Sequence, residues 1–140
     1  MGKKPTKAQL ADQPVEIKEK PLIWMGSSKK DLLDLPLEVK QGFGFALHLA
    51  QHGLKHENAK PLKGYKGAGV LEVVEDFDGD TFRAVYTVKL EDAVYVLHCF
   101  QKKSHEGIKT PQEDIDLIDL RLKAAIDDYE KKKKKSKKRE

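Results

Sequence analysis

Basic side chains stand where two neighbouring predicted strands could hold a phosphate group. Arg83 lies inside the β-branched and aromatic run 81–90, and Lys102 and Lys103 lie at the exit of the next such run. A strand fixes the direction of an arginine, whose guanidinium can bind a phosphate through two hydrogen bonds. The pattern allows a phosphate site on a sheet, although Arg83 could equally be the structural partner of a sheet carboxylate such as Glu72.

Further residues that could transfer protons or bind phosphate flank these strands. His105 follows the lysine pair, and the loop before the sheet carries three lysines among glycine and proline: Lys60, Lys63 and Lys66. Cleavage of RNA through its 2′-hydroxyl needs a proton acceptor, a cation at phosphorus and a proton donor. A lysine can be the acceptor when cationic neighbours lower its pKa. The same residues could also be a solvated loop and a charged strand end that prevents edge pairing.

The size and charge of the chain restrict where such chemistry could occur. With 140 residues, of which 39% are hydrophobic, the chain is expected to form one domain with a modest core. Residues 131–140 hold eight basic side chains and one acid, so the net charge of +4 leaves −3 for the rest of the chain. Any nucleic-acid contact must therefore come from a local basic patch and this tail. No apolar run approaches the roughly 20 residues of a membrane span and no signal peptide is evident, which predicts a cytoplasmic protein without a membrane partner.

Two other patterns contain residues capable of chemistry but indicate structural roles. The single cysteine, Cys99, lies in an apolar strand with no activating base evident nearby, and we interpret it as a buried small hydrophobe. His48, His52 and His56 are spaced by four, which on one helix could bring two ligands to a metal ion. Gly53 is expected to end that helix before His56. We therefore predict no metal site and no cofactor.

The hydrophobic periodicity and the turn residues predict an α+β fold. Residues 1–19 are expected to be a disordered extension, 20–129 the folded domain and 130–140 a disordered basic tail. A short strand should end at Gly26, Ser28 and Asp31 should cap a short helix, and a second helix should span 36–52. A loop over 56–69 should lead into an antiparallel meander of strands 70–77, 81–90 and 93–102, with the first strand alongside. The last helix should begin at Thr110 and Pro111 with this core stripe: Ile115, Ile118, Leu122 and Ile126.

Three segments together carry a resemblance to a known family. The chain reads FRAVYTV, then AVYVLHCFQKKS, then TPQEDIDLIDLRL. This order of an arginine strand, a Phe-Gln-Lys-Lys-Ser strand end and a Thr-Pro helix start resembles the RelE/HigB-type toxins of type II toxin–antitoxin systems, in their phage-derived HigB-like branch. The resemblance covers about residues 21–125. It implies a RelE-like α+β fold, with the N-terminal helices on one face of an antiparallel sheet, and a C-terminal helix.

The resemblance also implies a function and partners. Toxins of this kind are ribosome-dependent messenger RNA endoribonucleases that inhibit translation, and each is neutralised by a cognate antitoxin, here expected to be a helix-turn-helix protein. On this chain the catalytic residues would be Lys63, Arg83, Lys102 and His105, and the RNA-binding residues Lys60, Lys66 and Lys103. Antitoxin contact is expected at two apolar residues of the last helix that lie outside its core stripe: Leu117 and Leu120.

Two alternatives remain open at this stage. Several relatives carry an aromatic or histidine cluster where this chain offers Phe100, which cannot transfer protons. The chain could instead resemble the ParE-like branch, which inhibits DNA gyrase and lacks the nuclease residues. It could also be a catalytically inactive protein that retains only the antitoxin-binding surface.

Overall fold

A computed structural model describes residues 19–65, 69–102 and 110–138 of the chain. Five strands and three helices follow one another in these segments. They are β1 Leu22–Trp24, α1 Ser28–Leu33, α2 Leu37–Gln51, β2 Ala59–Pro61, β3 Val70–Phe77, β4 Asp80–Thr87, β5 Val94–Lys102 and α3 Gln112–Lys138. Among the residues described, no helix is long and apolar enough to cross a membrane.

The five strands form one sheet in the order β1-β5-β4-β3-β2. All neighbours are antiparallel except β1, which pairs with β5 in parallel. The predicted meander is confirmed, and the bounds of β3 agree with the prediction. Strand β2 was missed inside the predicted loop, because three residues ending in Pro61 have little strand propensity of their own. Their pairing with residues 71–73 of β3 makes them a strand.

Helices cover both faces of the sheet, and each face has its own apolar cluster. Helices α1 and α2 contribute Leu32, Val39, Phe43 and Leu47 to one cluster, which also holds Val73, Ala84, Val96 and Cys99 of the sheet. Helix α3 contributes Ile118 and Ala125 to the other, with Val70, Val85, Leu97 and Phe100. The predicted α+β class, with the N-terminal helices on one face and a C-terminal helix, is confirmed and is consistent with a RelE-like fold.

The N-terminal helices begin and end close to the predicted positions. Helix α2 follows Pro36 and ends before Gly53, whose φ of 75° is the left-handed stop that was expected. The predicted cap of α1 is displaced by one residue. Ser27 occupies the N-cap position and its Oγ donates to Asp31 Oδ2 at 2.7 Å, whereas Ser28 is buried and donates to the Val96 carbonyl at 3.1 Å.

A β-bulge in β5 determines which side chains face α3. Val85 is opposite His98 while Tyr86 is opposite Val96, so Leu97 is the additional residue. Leu97 packs in the α3-side cluster, and the neighbouring His98 also contacts α3, through Asp114. Two consecutive side chains therefore point to the same face, which a regular strand does not allow.

Helix α3 differs from the prediction in its buried face and in its length. Ile118 and Ala125 are fully buried, and Leu122 and Tyr129 pack against them, at the 4-3-4 spacing of one helix face. The predicted stripe was wrong at Ile126, which is 38% exposed because it lies one position round the helix from Ala125. The helix also runs to Lys138, through most of the segment that was expected to be a disordered basic tail. Lysine is a good helix former, and cations near a helix C-terminus are favourable.

Candidate functional site

A buried ion pair lies on the α3 side of the sheet. Arg83 on β4 is opposite Val74, and Glu72 on β3 is opposite Val85, so the two charged side chains are diagonal neighbours on one face. Arg83 Nη1 lies 3.0 Å from Glu72 Oε2, and the side chains are 5% and 7% exposed. The pairing that the sequence offered as the structural alternative for Arg83 is therefore present.

Two further residues connect this pair to its surroundings. Arg83 Nη1 also donates to Thr110 Oγ1 at 3.0 Å, which ties β4 to the segment that enters α3. Lys60 Nζ on β2 lies 4.0 Å from Glu72 Oε1, and its side chain is 60% exposed. Glu72 thus has a buried cation on one side and a solvated cation on the other. The exposed ammonium of Lys60 is the group of this set that is best placed to meet a ligand from solution.

Lys102 lies beside Arg83 at the end of β5. Arg83 is opposite Phe100 and Thr81 is opposite Lys102, so the two basic residues are diagonal neighbours in the β4–β5 ladder. Burial lowers the pKa of Lys102, the Arg83 guanidinium lowers it further, and Glu72 acts in the opposite direction. The net direction favours the uncharged amine, which is the form that can accept a proton.

The other predicted residues fall in different places. Lys63 is exposed and follows Leu62, whose N–H donates to the carbonyl of Val70. Val70 begins β3 and pairs with Thr87 at the end of β4. Arg83 lies four residues from Thr87, or roughly 13 Å along the strand, so Lys60 rather than Lys63 accompanies the Arg83–Glu72 pair. His105, Lys103 and Lys66 lie outside the described residues.

The two residues of α3 predicted to contact an antitoxin differ in exposure. Leu120 is 66% exposed, whereas Leu117 is half-buried. Leu120 is therefore directly available to a partner, and Leu117 offers only part of its side chain.

A second polar cluster, which the sequence reasoning did not identify, adjoins the first on the α3 face. His98 Nε2 lies 2.7 Å from Asp114 Oδ1, and Arg121 Nη1 lies 3.4 Å from His98 Nδ1 and donates to the Leu97 carbonyl at 2.9 Å. Gly26 leaves room for the arginine, since a β-carbon there would lie 2.6 Å from Arg121 Nε. The signal in the sequence was a histidine inside an apolar strand, a position that demands a polar partner.

The surroundings of His98 act on the pKa of its imidazole in both directions. Burial lowers its pKa below the usual value, and Arg121 adds to this, although the Asp114 carboxylate acts in the opposite direction. A neutral ring that donates from Nε2 to Asp114 and accepts from Arg121 at Nδ1 satisfies every contact described. Phe100 stacks on the ring with centroids 4.4 Å apart, and Phe100 itself is opposite Arg83. His98 thus lies in the row of side chains next to the Arg83–Glu72 pair.

The rejected candidates have ordinary structural roles. Cys99 is 2% exposed, and burial raises the pKa of its thiol to about 12, so the predicted buried hydrophobe is confirmed. His56 Nδ1 accepts from the Asn58 N–H at 3.0 Å, and His52 Nδ1 lies 2.9 Å from the His48 carbonyl. In the part of the chain that the structure describes, no group of three or more histidine, cysteine or acidic side chains could hold a metal ion.

Comparison with known proteins identifies the family. A family model described as "Phage derived protein Gp49-like (DUF891)" matches residues 30–123, which is more than half of the chain. The chain belongs to the Gp49-like family. That family is one of RelE/HigB-like toxins, and a toxin of this kind implies an antitoxin partner. No curated protein and no solved structure matches the chain.

The Gp49-like region includes both polar clusters and excludes the end of α3. It begins in α1 and ends at residue 123, so it contains Glu72, Arg83, Lys102 and His98. The part of α3 beyond residue 123, including its exposed lysines, lies outside the matched region. The candidate site is therefore within the matched region, and the basic end of α3 lies outside it.

Proposed function

We propose that this Gp49-like protein is the toxin of a toxin–antitoxin pair and that it inhibits translation by cleaving messenger RNA on the ribosome in the cytoplasm. Family membership supports the toxin assignment. The observation that carries the nuclease assignment is the placement of Lys102, with its lowered pKa, diagonally beside Arg83 on one face of the sheet. A base next to a fixed cation supplies two of the groups that cleavage of RNA through its 2′-hydroxyl uses, and a proton donor completes them.

In the proposed reaction, neutral Lys102 accepts the proton of a ribose 2′-hydroxyl. The 2′-oxygen then bonds to phosphorus, the bond from phosphorus to the 5′-oxygen breaks, and a protonated donor returns a proton to that oxygen. His105 is the proposed donor. Arg83 is only 4% exposed, so we assign it to holding positive charge beside Lys102 rather than to direct contact with the phosphate. The exposed Lys60 supplies a first contact for the RNA backbone, together with Lys63, Lys66 and Lys103.

The test is induction of the chain in cells, with primer-extension mapping of messenger RNA ends. Wild-type protein should produce new ends within translated codons, and Lys102→Met should abolish them while the chain remains folded by circular dichroism. Lys135→Ala is the matched control, since it removes an exposed lysine far from the sheet. Intact transcripts together with DNA-damage signalling would instead favour the gyrase-inhibitor alternative.

One observation favours a second candidate, a catalytically inactive antitoxin-binding protein. The charge of Arg83 is already compensated by Glu72 at 3.0 Å in a buried setting, which is what a purely structural role requires. Such a protein would bind its antitoxin without inhibiting growth. We propose a helix-turn-helix antitoxin that contacts Leu117 and Leu120. Changing both to glutamate should weaken that binding in a calorimetric titration more than it lowers the free energy of unfolding.

A further inference from the structure

A tight turn after β2 presents Lys63 to solvent. The Tyr65 N–H donates to the Leu62 carbonyl at 3.2 Å, and Gly64, the third residue of this four-residue turn, has a φ of 93°. A positive φ at the third position is what a type II turn requires, and glycine adopts it without strain. Lys63 therefore occupies the second position of the turn, where it is exposed.

Both flanks of this turn are anchored on the α3 side of the sheet. Leu62 is 4% exposed and belongs to the α3-side apolar cluster, and Tyr65 packs against the same cluster. The Tyr65 hydroxyl donates to Asp119 Oδ1 on α3. Burial raises the pKa of Tyr65 and the bond to Asp119 raises it further, so the phenol keeps the proton that it donates. The exposed lysine is thus held between two fixed residues.

A second tyrosine forms the same kind of bond to α3 at another place. Tyr95 on β5 donates to Asp128 Oδ2 at 2.8 Å. Tyr95 lies inside a strand, so the pairing of the sheet already fixes its position. Tyr65 follows the end of β2, and its bond to Asp119 restrains a turn that carries an exposed cation. The two bonds are chemically alike, but only that of Tyr65 can determine where a lysine lies.

Basic side chains cross the sheet on the way to this turn. Lys102 on β5 is the diagonal neighbour of Arg83 on β4. Glu72 on β3 contacts both Arg83 and Lys60 on β2, so Lys60 continues the row to the edge strand. Neighbouring strands are about 4.8 Å apart, so the row spans roughly 14 Å from β5 to β2. Lys63 lies past the end of β2 and forms no ion pair with any side chain in the described segments.

We propose that Tyr65 and Asp119 are positioning residues, which hold Lys63 where it binds a backbone phosphate of the RNA strand at a distance from the reacting phosphate. The inference rests on the proposed function, because the ligand is the same RNA. It assigns Lys63 to binding of the strand and leaves the chemical step to the Lys102 site. A cation that is already in place loses less side-chain freedom when it binds a phosphate than a mobile cation does.

The test measures binding of the full chain to a fluorescent 2′-O-methyl oligouridine, which cannot be cleaved through a 2′-hydroxyl. Tyr65→Phe removes only the donating hydroxyl, and it should weaken binding about three- to tenfold, as should Lys63→Ala. The double variant should bind no more weakly than Lys63→Ala, because Tyr65 acts through that lysine. Tyr95→Phe is the matched control, since it removes the bond to Asp128, and it should leave binding unchanged.

Two variants of Asp119 separate its hydrogen bond from its charge. Asp119→Asn and Asp119→Ala remove the same negative charge, but asparagine keeps an oxygen that can accept from Tyr65. Asp119→Asn should therefore bind the oligouridine more tightly than Asp119→Ala does. Equal binding of these two variants would overturn the role of Asp119 as a positioning residue.

A purely structural role of Tyr65 predicts a different pattern. Urea unfolding should show similar losses of stability for Tyr65→Phe and Tyr95→Phe, while only Tyr65→Phe weakens RNA binding. Equal weakening of binding by both variants, unchanged binding by Tyr65→Phe, or additive effects of Tyr65→Phe and Lys63→Ala would overturn the proposal. Failure of the wild-type chain to bind the oligouridine would overturn it as well.

Mapping of messenger RNA ends in cells, carried out in parallel, separates this inference from the proposed function. A wild-type chain that produces new ends, with oligouridine binding that does not depend on Tyr65, would refute the positioning role alone. The expected pattern of binding without new messenger ends would refute the nuclease assignment alone.

Discussion

The buried Arg83–Glu72 pair allows structural and catalytic roles of Arg83 to be separated by one set of variants. Arg83→Met leaves the Glu72 carboxylate, whose side chain is 7% exposed, without its partner at 3.0 Å. Glu72→Met leaves a buried guanidinium that still donates to Thr110. The double variant removes both charges and fills the space with two apolar side chains of similar size.

The expected stabilities follow from the cost of an unpaired buried charge. Removing one partner of such a pair typically costs about 3–5 kcal/mol, whereas replacing both by apolar residues is often neutral. Arg83→Met should lower the free energy of unfolding by roughly 3 kcal/mol, at the lower end of this range, because Lys60 remains 4.0 Å from the carboxylate. Glu72→Met should cost more, since it leaves the buried guanidinium beside Lys102 without its carboxylate. The double variant should return to within about 1 kcal/mol of the wild type.

The assay is urea unfolding of all four proteins, with growth inhibition after induction as the second readout. We expect the double variant to be stable and yet not to inhibit growth, because the cation beside Lys102 is gone. Growth inhibition by the double variant at the wild-type level would refute any role for Arg83 beyond pairing with Glu72. A loss of less than about 1 kcal/mol in both single variants would refute the buried ion pair itself.

Three further predictions concern stability and reactivity. Because burial lowers the pKa of His98, the unfolded chain binds a proton near pH 6.5 that the folded chain does not. Stability should therefore fall as the pH drops below about 6.5, and His98→Gln should make thermal unfolding less dependent on pH there. The thiol of Cys99, whose pKa burial raises to about 12, should react with iodoacetamide at neutral pH only after unfolding. Gly44→Ala should stabilise α2 by about 0.5–1 kcal/mol in urea unfolding. Gly42→Ala should stabilise α2 less than Gly44→Ala does, because its new β-carbon would lie 2.5 Å from Glu75 Oε1.

Local patterns in the sequence were sufficient for most elements of the fold. Alternating residues between turn signals located β3, β4 and β5, and the proline and glycine at the ends of α2 located that helix. The possibility of an Arg83–Glu72 pair was also accessible, because a charge inside an apolar strand requires a partner. The position of Lys60 beside Glu72 could not be predicted, because it depends on the pairing of a three-residue strand that has no sequence signature of its own.

The His98 cluster depends on two features that hydrophobic periodicity does not encode. The first is the bulge in β5. In a regular strand, His98 would face the opposite side from Leu97 and would enter the apolar cluster under α2. Both faces of β5 are buried, so residues 94–97 show no alternation of apolar and polar types and give no sign of where the bulge lies.

The second feature is the path of α3 across the sheet. It brings Asp114 and Arg121, two turns apart on the helix, to the two ring nitrogens of one histidine. Helical spacing predicts that these residues share a face, but their contact with His98 depends on how the helix crosses the strands. The polar contacts between α3 and the sheet therefore depend on tertiary packing. They form only because the bulge turns His98 toward the helix.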